Sequence, residues 1–323
     1  LLKINITRGN VDPMPIALSP FFADTALGQK MARQIPDVVA ADLARSGLFR
    51  PIERSAFIQT PEAMQVGPRF ADWRVINAQA LLTGKTEIDA AGRMRVEFRL
   101  WDVFAGQQMT ALVYTAPSSN WRRVAHLISD AIYKRLTGEE GYFDTRIVYV
   151  SEVGPADKRI KRLAIMDQDG ANHHFLTDGS NLVLTPRFSP TLQEITYLSY
   201  YKKRPRVYIY NIDTGQQELL GDFDGMTYAP RFSPDGNKVI MSKASGGNSD
   251  IFTMDLRTRK TVRLTRHSAI DTSPSYEPTG KRITFNSDRG GSQQLYVMNA
   301  DGSRIKRISF GKGRYATPVW SPR

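Results

Sequence analysis

Tyr228 to Gly236, YAPRFSPDG, decides the fold, because the chain keeps returning to it. A proline, an aromatic residue two positions on and a Ser-Pro or Glu-Pro pair recur four times. The first prolines are Pro186, Pro230, Pro274 and Pro318, and the aromatics are Phe188, Phe232, Tyr276 and Trp320. The second prolines are Pro190, Pro234, Pro278 and Pro322, and every step within each series is 44 residues. An apolar run keeps the same beat: LAIMD (Leu163 to Asp167), VYIYN (Val207 to Asn211), IFTMD (Ile251 to Asp255) and LYVMN (Leu295 to Asn299). A further apolar residue follows at Leu176, Leu220, Leu264 and Ile308. Series that stay in phase this way define a repeat protein over the second half of the chain.

The period identifies the repeat. Each unit reads as four short strands, PRFSP, ITYLS, VYIYN and one ending near Leu220, separated by turns such as SPDG, DTG and NADG. Four strands in about 44 residues is the size of a β-propeller blade. Proline cannot donate to a ladder and is tolerated mainly on an edge strand, and a blade's innermost strand is such an edge. The recurrent aromatic is expected to pack between neighbouring blades. The unit breaks off at Pro322-Arg323, where its siblings continue with DGNK or TGKR. It is therefore expected to run on past Arg323.

Ahead of the repeats the pattern changes. Leu2, Ile4 and Ile6 alternate with polar residues, as in a half-buried strand. Ile16 to Phe22 reads as a second strand. A helix opens near Gly28 or at Pro36, buries Ile35, Val38, Val39 and Leu43, and stops at Gly47. Strands follow at Leu48 to Ile52, Ala78 to Ile88, Met94 to Leu100 and Gln107 to Tyr114, with a short helix at Phe70 to Ile76. Ser119 is placed to cap a last helix, with Trp121, Val124, Ala125, Ile128, Ile132 and Leu136 on one face and Gly138 at its end. The predicted organisation is two-domain: an N-terminal α/β domain with a mixed sheet over residues 1–138, a linker at 139–144, and an all-β propeller over 145–323.

A chain of 323 residues with 41% hydrophobic content can bury two cores, and its apolar runs are too short to span a bilayer. With no cysteine, disulfides, thiolate metal sites and cysteine nucleophiles are excluded. The net charge of +12 is compatible with a polyanionic partner, yet no dense lysine-arginine block appears, and a soluble basic surface accounts for it.

Motifs for chemistry are scarce. TGKT at Thr83 to Thr86 ends like a phosphate-binding loop, but Gln79 stands where that loop needs its first glycine. DQDG at Asp167 to Gly170 begins like a calcium loop without its later oxygen ligands, and it occupies the turn of the sibling repeats. His126, His173, His174 and His267 have no partner at metal-ligand spacing. There is no GxSxG elbow. No catalytic residue, metal or cofactor is expected. The loops leading into each PRFSP segment share little: GDFDGMTYA, TRHSAIDTS and SFGKGRYAT. Variable loops on a constant frame suit recognition.

Three segments carry a resemblance beyond the repeats. VAADLARSGLF (Val39 to Phe49), ALLTGKTEIDAAGRMRVEFRLWDV (Ala80 to Val103) and the Trp121-Arg122-Arg123 helix with LTGEEGYFDTRIVYV (Leu136 to Val150) resemble the TolB family of Tol-Pal envelope proteins. The resemblance covers essentially the whole chain. It implies a six-bladed propeller with about two blades more than the four repeats here, a periplasmic location, a monomer, and a non-catalytic adaptor role. It implies two partners. The lipoprotein Pal would bind the propeller, and TolA would bind the N-terminal segment containing Leu2, Ile4, Ile6 and Arg8. Such an adaptor supports outer-membrane integrity and constriction during cell division. For Pal the expected residues lie just before each inner proline: Leu184, Thr185, Tyr228, Ala229, Thr272, Ser273, Ala316 and Thr317, with Met226 and His267 in the same loops. The side chains of Ala229 and Thr272 are expected to face solvent. Alternative readings are the propeller portion of a prolyl-peptidase-like hydrolase and a basic nucleic-acid binder.

Overall fold

The computed structural model describes residues 12–201, 205–221 and 225–321. The chain divides into two compact units, Leu1–Thr145 and Arg146–Arg323. No helix among the described residues is long and apolar enough to cross a membrane.

The first unit is built on a five-stranded sheet. Strand β1 (Met14–Leu18) is followed by helix α1 (Ala26–Arg45), β2 (Phe49–Pro51), helix α2 (Phe70–Val75) and strands β3 (Ala80–Ile88), β4 (Arg93–Asp102) and β5 (Gln107–Pro117). Helix α3 (Trp121–Thr137) ends the unit's regular structure. The sheet order is β2-β1-β3-β4-β5, with β1 parallel to both neighbours and β3 to β5 an antiparallel meander. Alternation on β4 sends Met94, Val96, Phe98 and Leu100 into a core shared with α1 and α3. The opposite face of β1 and β3 is covered by Trp73, Met64 and Val103 around Ala17 and Leu81.

Of the two starts the pattern offers for helix α1, the one near Gly28 is the right one, the helix opening at Ala26. Thr25 is its N-cap, its Oγ1 accepting from the Gly28 N–H at 3.1 Å. Pro36 lies inside the helix, where it deprives the Ala32 carbonyl of its usual donor. That oxygen instead accepts from Phe21 N–H at 2.8 Å. The helix runs through the proline because Met31, Ala32 and Ile35 ahead of it are buried in the core. Helix α3 is preceded by a 3-10 turn at Ser118–Asn120, and the Ser119 hydroxyl turns to the Asn120 side chain instead of capping the helix. Gly138 closes α3 at φ 81, a conformation that favours glycine. The segment beyond it is packed: Phe143 is fully buried, and the Phe143 and Asp144 N–H groups donate to Asp130.

The second unit is a series of antiparallel sheets. Strands β6 (Arg146–Val153), β7 (Ile160–Asp167) and β8 (His174–Phe175) form a three-stranded sheet. Three complete four-stranded blades follow: β9 (Val183–Phe188) to β12 (Gln217–Leu219), β13 (Met226–Phe232) to β16 (Thr261–Arg263), and β17 (Asp271–Tyr276) to β20 (Lys306–Arg307). Within these blades β10 spans Glu194–Ser199, β11 Arg206–Asn211, β14 Lys238–Ser245, β15 Asn248–Asp255, β18 Arg282–Ser287 and β19 Gln294–Asn299. Each proline-bearing strand is at the edge of its sheet, as the repeat predicted. Cores form between blades: Val207, Ile209 and Leu220 meet Phe232, Val239 and Met254, and Ile240 and Ile251 meet Ile283, Phe285 and Met298. Phe232 and Tyr276 join these layers as expected of the recurrent aromatic, whereas Phe188 is half-buried. Trp320 lies beneath the Arg282 guanidinium, 5.1 Å from ring centroid to charge.

A hydroxyl clip recurs beside three of the four outer strands. Thr177, Thr265 and Ser309 accept from the N–H groups of Leu163, Ile251 and Leu295 at 2.9, 3.0 and 2.8 Å. The matching position in the second sheet is Gly221, at φ 152. There Thr227, from the inner strand of the next blade, accepts from Val207 N–H at 3.3 Å.

Candidate functional site

Each inner strand carries a β-bulge at its proline. In β9, Leu184 and Arg187 oppose Leu198 and Thr196, so Thr185 and Pro186 together face one residue, Tyr197. The same shift occurs in β13 between Tyr228 and Arg231 and in β17 between Thr272 and Ser275. The residue before the proline has a positive φ every time: Thr185 at 50°, Ala229 at 51°, Ser273 at 54° and Thr317 at 52°. A bulge with its first residue in the left-handed region is normally built with glycine. A side chain there costs about 1–2 kcal/mol, and such strain persists where the surroundings over-determine it.

Side chains from the preceding blade supply part of that determination. Ser242 Oγ accepts from the Ser273 N–H at 3.2 Å, and Asn286 Oδ1, one repeat on, accepts from the Thr317 N–H at 3.2 Å. The amide end of Asn286 donates to Thr272 Oγ1 at 2.6 Å. Asn286 therefore joins the inner strand of its own blade to the next inner segment. The equivalent residue in the second sheet is Leu198, which has no polar group to offer.

The expected Pal-facing residues fall into two groups. Thr185, Met226, His267, Ala316 and Thr317 are exposed. Leu184, Tyr228, Ala229 and Ser273 are half-buried, and Thr272 is buried at 9% exposure. The expectation that Thr272 faces solvent is therefore corrected, and Ala229 is half-covered. Asn286 holds the Thr272 hydroxyl inward, and the bulge turns the strand at the next residue. The Tyr228 hydroxyl is 2.7 Å from Ser249 Oγ, and burial raises its pKa. His267 is fixed at both backbone and side chain, its carbonyl accepting from Asn248 Nδ2 at 2.7 Å and its ring Nδ1 accepting from Ala269 N–H at 3.0 Å. Ala316 and Thr317 lie in an extended segment without a strand assignment. Leu2, Ile4, Ile6 and Arg8 lie outside the described residues.

Other sequence candidates resolve into structure. Thr83 to Thr86 is the middle of β3, where a Cβ on Gly84 would sit 2.6 Å from Glu97 O and 2.8 Å from the Phe21 ring. Asp167 to Gly170 is a turn closed by Gly170 N–H on Asp167 O at 3.0 Å. His126 is buried, with Nδ1 2.7 Å from Asp42 Oδ2, and Ser129 donates to that same oxygen at 2.9 Å. Serine and histidine thus converge on one carboxylate, between α1 and α3. In a nucleophilic relay the serine would contact the imidazole instead. This group pins two helices together. Neither Asp42 nor Ser129 stood out in the sequence, because each lies alone on the apolar face of its helix.

A mixed α/β unit followed by successive four-stranded blades with bulged inner edges defines a two-domain β-propeller protein. Comparison with known proteins makes the class specific. Residues 133–323 match the TolB beta propeller domain and residues 2–109 the TolB amino-terminal domain. The chain belongs to the TolB family. It is 61% identical over 213 residues to the Tol-Pal system protein TolB of Paramagnetospirillum magneticum, covering 66% of this chain and 48% of that protein. It is 59% identical over 224 residues to that of Pelagibacter ubique, covering 66% and 50%. The chain thus spans about half the length of these curated relatives. The crystal structure of TolB from Acinetobacter baumannii superposes with a TM-score of 0.81 at 33% identity, over 96% of this chain and 75% of that one.

Proposed function

We propose that this chain is a periplasmic, non-catalytic adaptor of the Tol-Pal system. It binds Pal through the loops at the entry of the propeller's inner strands and TolA through the N-terminal segment holding Leu2, Ile4, Ile6 and Arg8. In that role it supports outer-membrane integrity and constriction during division. The relatives at about 60% identity are named for the Tol-Pal system, which supports membership of the same envelope machinery. The observation that carries the Pal site is the set of four positive-φ residues, 44 apart, each immediately before the proline of its repeat. They hold variable loops on a constant, strained frame, an arrangement suited to presenting recognition residues.

Calorimetric titration with Pal tests the site. Thr272 is unsuitable for a charge because it is buried, so Met226, 39% exposed at the start of β13, is the position to change. Met226→Arg and Ala229→Arg should each weaken Pal binding by about 2 kcal/mol or more, by burying an unpaired charge. Wild-type affinity in both variants would place the Pal surface elsewhere.

A further inference from the structure

Arg187 and Arg231 have no part in the site above. They occupy one column of the repeat, 44 residues apart, each immediately after the proline of its inner strand. Strands β9 and β13 pack against each other as the inner edges of neighbouring blades. In register, Arg187 lies opposite Thr196 and Arg231 opposite Ile240. The next blade has Ser275 in this column, so the arginines form an isolated pair of neighbours.

Several arginines of this unit are paired with carboxylates. Arg259 pairs with Glu218, Arg263 with Asp250, Arg282 with Glu277 and Arg289 with Asp271. Among the described residues neither Arg187 nor Arg231 has a carboxylate partner. Arg187 donates to the Pro186 carbonyl at 2.8 Å, which carries no formal charge. Arg231 is half-buried. Burial, and then the charge of Arg187, both push its guanidinium below the ordinary arginine value. Arg187 is exposed and Arg231 half-buried, at the same position of two packed inner strands; like charges placed so, one losing water, oppose folding unless a counter-charge joins them. Arginine remains protonated under such pressure, so an anion between the two would relieve the repulsion. The planar fork of a guanidinium matches the two oxygens of a carboxylate or phosphate.

We propose that Arg187 and Arg231 form an oxyanion-binding site on the inner edges of the first two complete blades. The ligand is a carboxylate or phosphate group, supplied either by free inorganic phosphate or by an acidic side chain of a protein segment seated on those edges. The site stands whether or not Pal is the partner of the neighbouring loops.

The test measures binding and thermal stability of the full chain in chloride, inorganic phosphate and a short glutamate-rich peptide at matched ionic strength. Wild type, Arg187→Gln, Arg231→Gln and the double variant are compared. Phosphate, the peptide or both should bind and raise the Tm of wild type, each single variant should bind about tenfold more weakly, and the double variant should lose the response. In chloride alone, Arg231→Gln should be at least as stable as wild type, because a repulsion has been removed. That last result separates an anion site from a structural arginine, whose loss would destabilise the fold. Tighter binding of the peptide identifies a protein carboxylate as the source, and tighter binding of phosphate identifies the free anion. An unchanged Tm response in the double variant, no response in wild type, or a destabilised Arg231→Gln in chloride would overturn the proposal.

Discussion

Thr272 stands at the expected recognition edge, yet its hydroxyl is already engaged by Asn286 at 2.6 Å. Its contribution is to position, and the proposed partner-facing chemistry falls instead to exposed neighbours such as Met226 and His267. Thr272→Val keeps the shape and strands the buried Asn286 amide, so it should cost about 1–3 kcal/mol in urea denaturation. An unchanged midpoint would mean that Asn286 finds another acceptor. The recurring prolines and aromatics were legible in the sequence because they recur. The positive φ before each proline was not, since Thr, Ala, Ser and Thr occupy a place where glycine would have announced the bulge. Arg187 and Arg231 were visible as a column, but only the fold shows that neither meets a carboxylate.

At the level of elements, helix α1 shows where pattern reading stops. Its buried face, Ile35, Val38, Val39 and Leu43, was plain from spacing, and all four are in the core. Its start was not, because Pro36 reads equally well as a first-turn residue. The deciding contact is non-local: Phe21 N–H takes the Ala32 carbonyl that Pro36 leaves open. An interior helix proline normally costs about 3 kcal/mol. Here Pro36→Ala should recover less than about 1 kcal/mol of stability, because the acceptor for its new N–H is already in use. Chemical denaturation of the two proteins measures this, and a gain near 3 kcal/mol would show that the Phe21 contact is incidental. Among the strands of the first unit β4 followed its alternation closely, whereas β1 runs Met14–Leu18 instead of Ile16 to Phe22 and is buried on both faces, which leaves no alternation to read. The Ser119 cap failed because a 3-10 turn, which has no sequence period of its own, intervened.

Across the molecule, the apolar layers formed by the described residues of the blades each join two neighbouring sheets. Phe285 is fully buried in the layer between the second and third complete blades. Phe285→Ala should destabilise the propeller by about 3–5 kcal/mol. Amide exchange should quicken on both β14 and β18 and stay unchanged on β4, whose core is separate. Protection lost on β18 alone would mean that the blades are stable singly. The repeat architecture was legible because nearest-neighbour packing demands the same residues in every unit.

The displaced hydroxyl clip has a consequence for reading damage in this protein. Thr265 secures Ile251 within its own blade, but Thr227 sits on one blade and secures Val207 of the blade before it. A lesion at Thr227 is therefore felt at a different address from the one mutated. In Thr227→Val the amide to lose protection first should be Val207, while the neighbours of residue 227 along β13 keep theirs. If β13 loosened first, the clip would be a bystander. A map of this propeller drawn from mutations alone would be out of step by one blade at that place, and nowhere in the sequence of β11 is there a mark to warn of it.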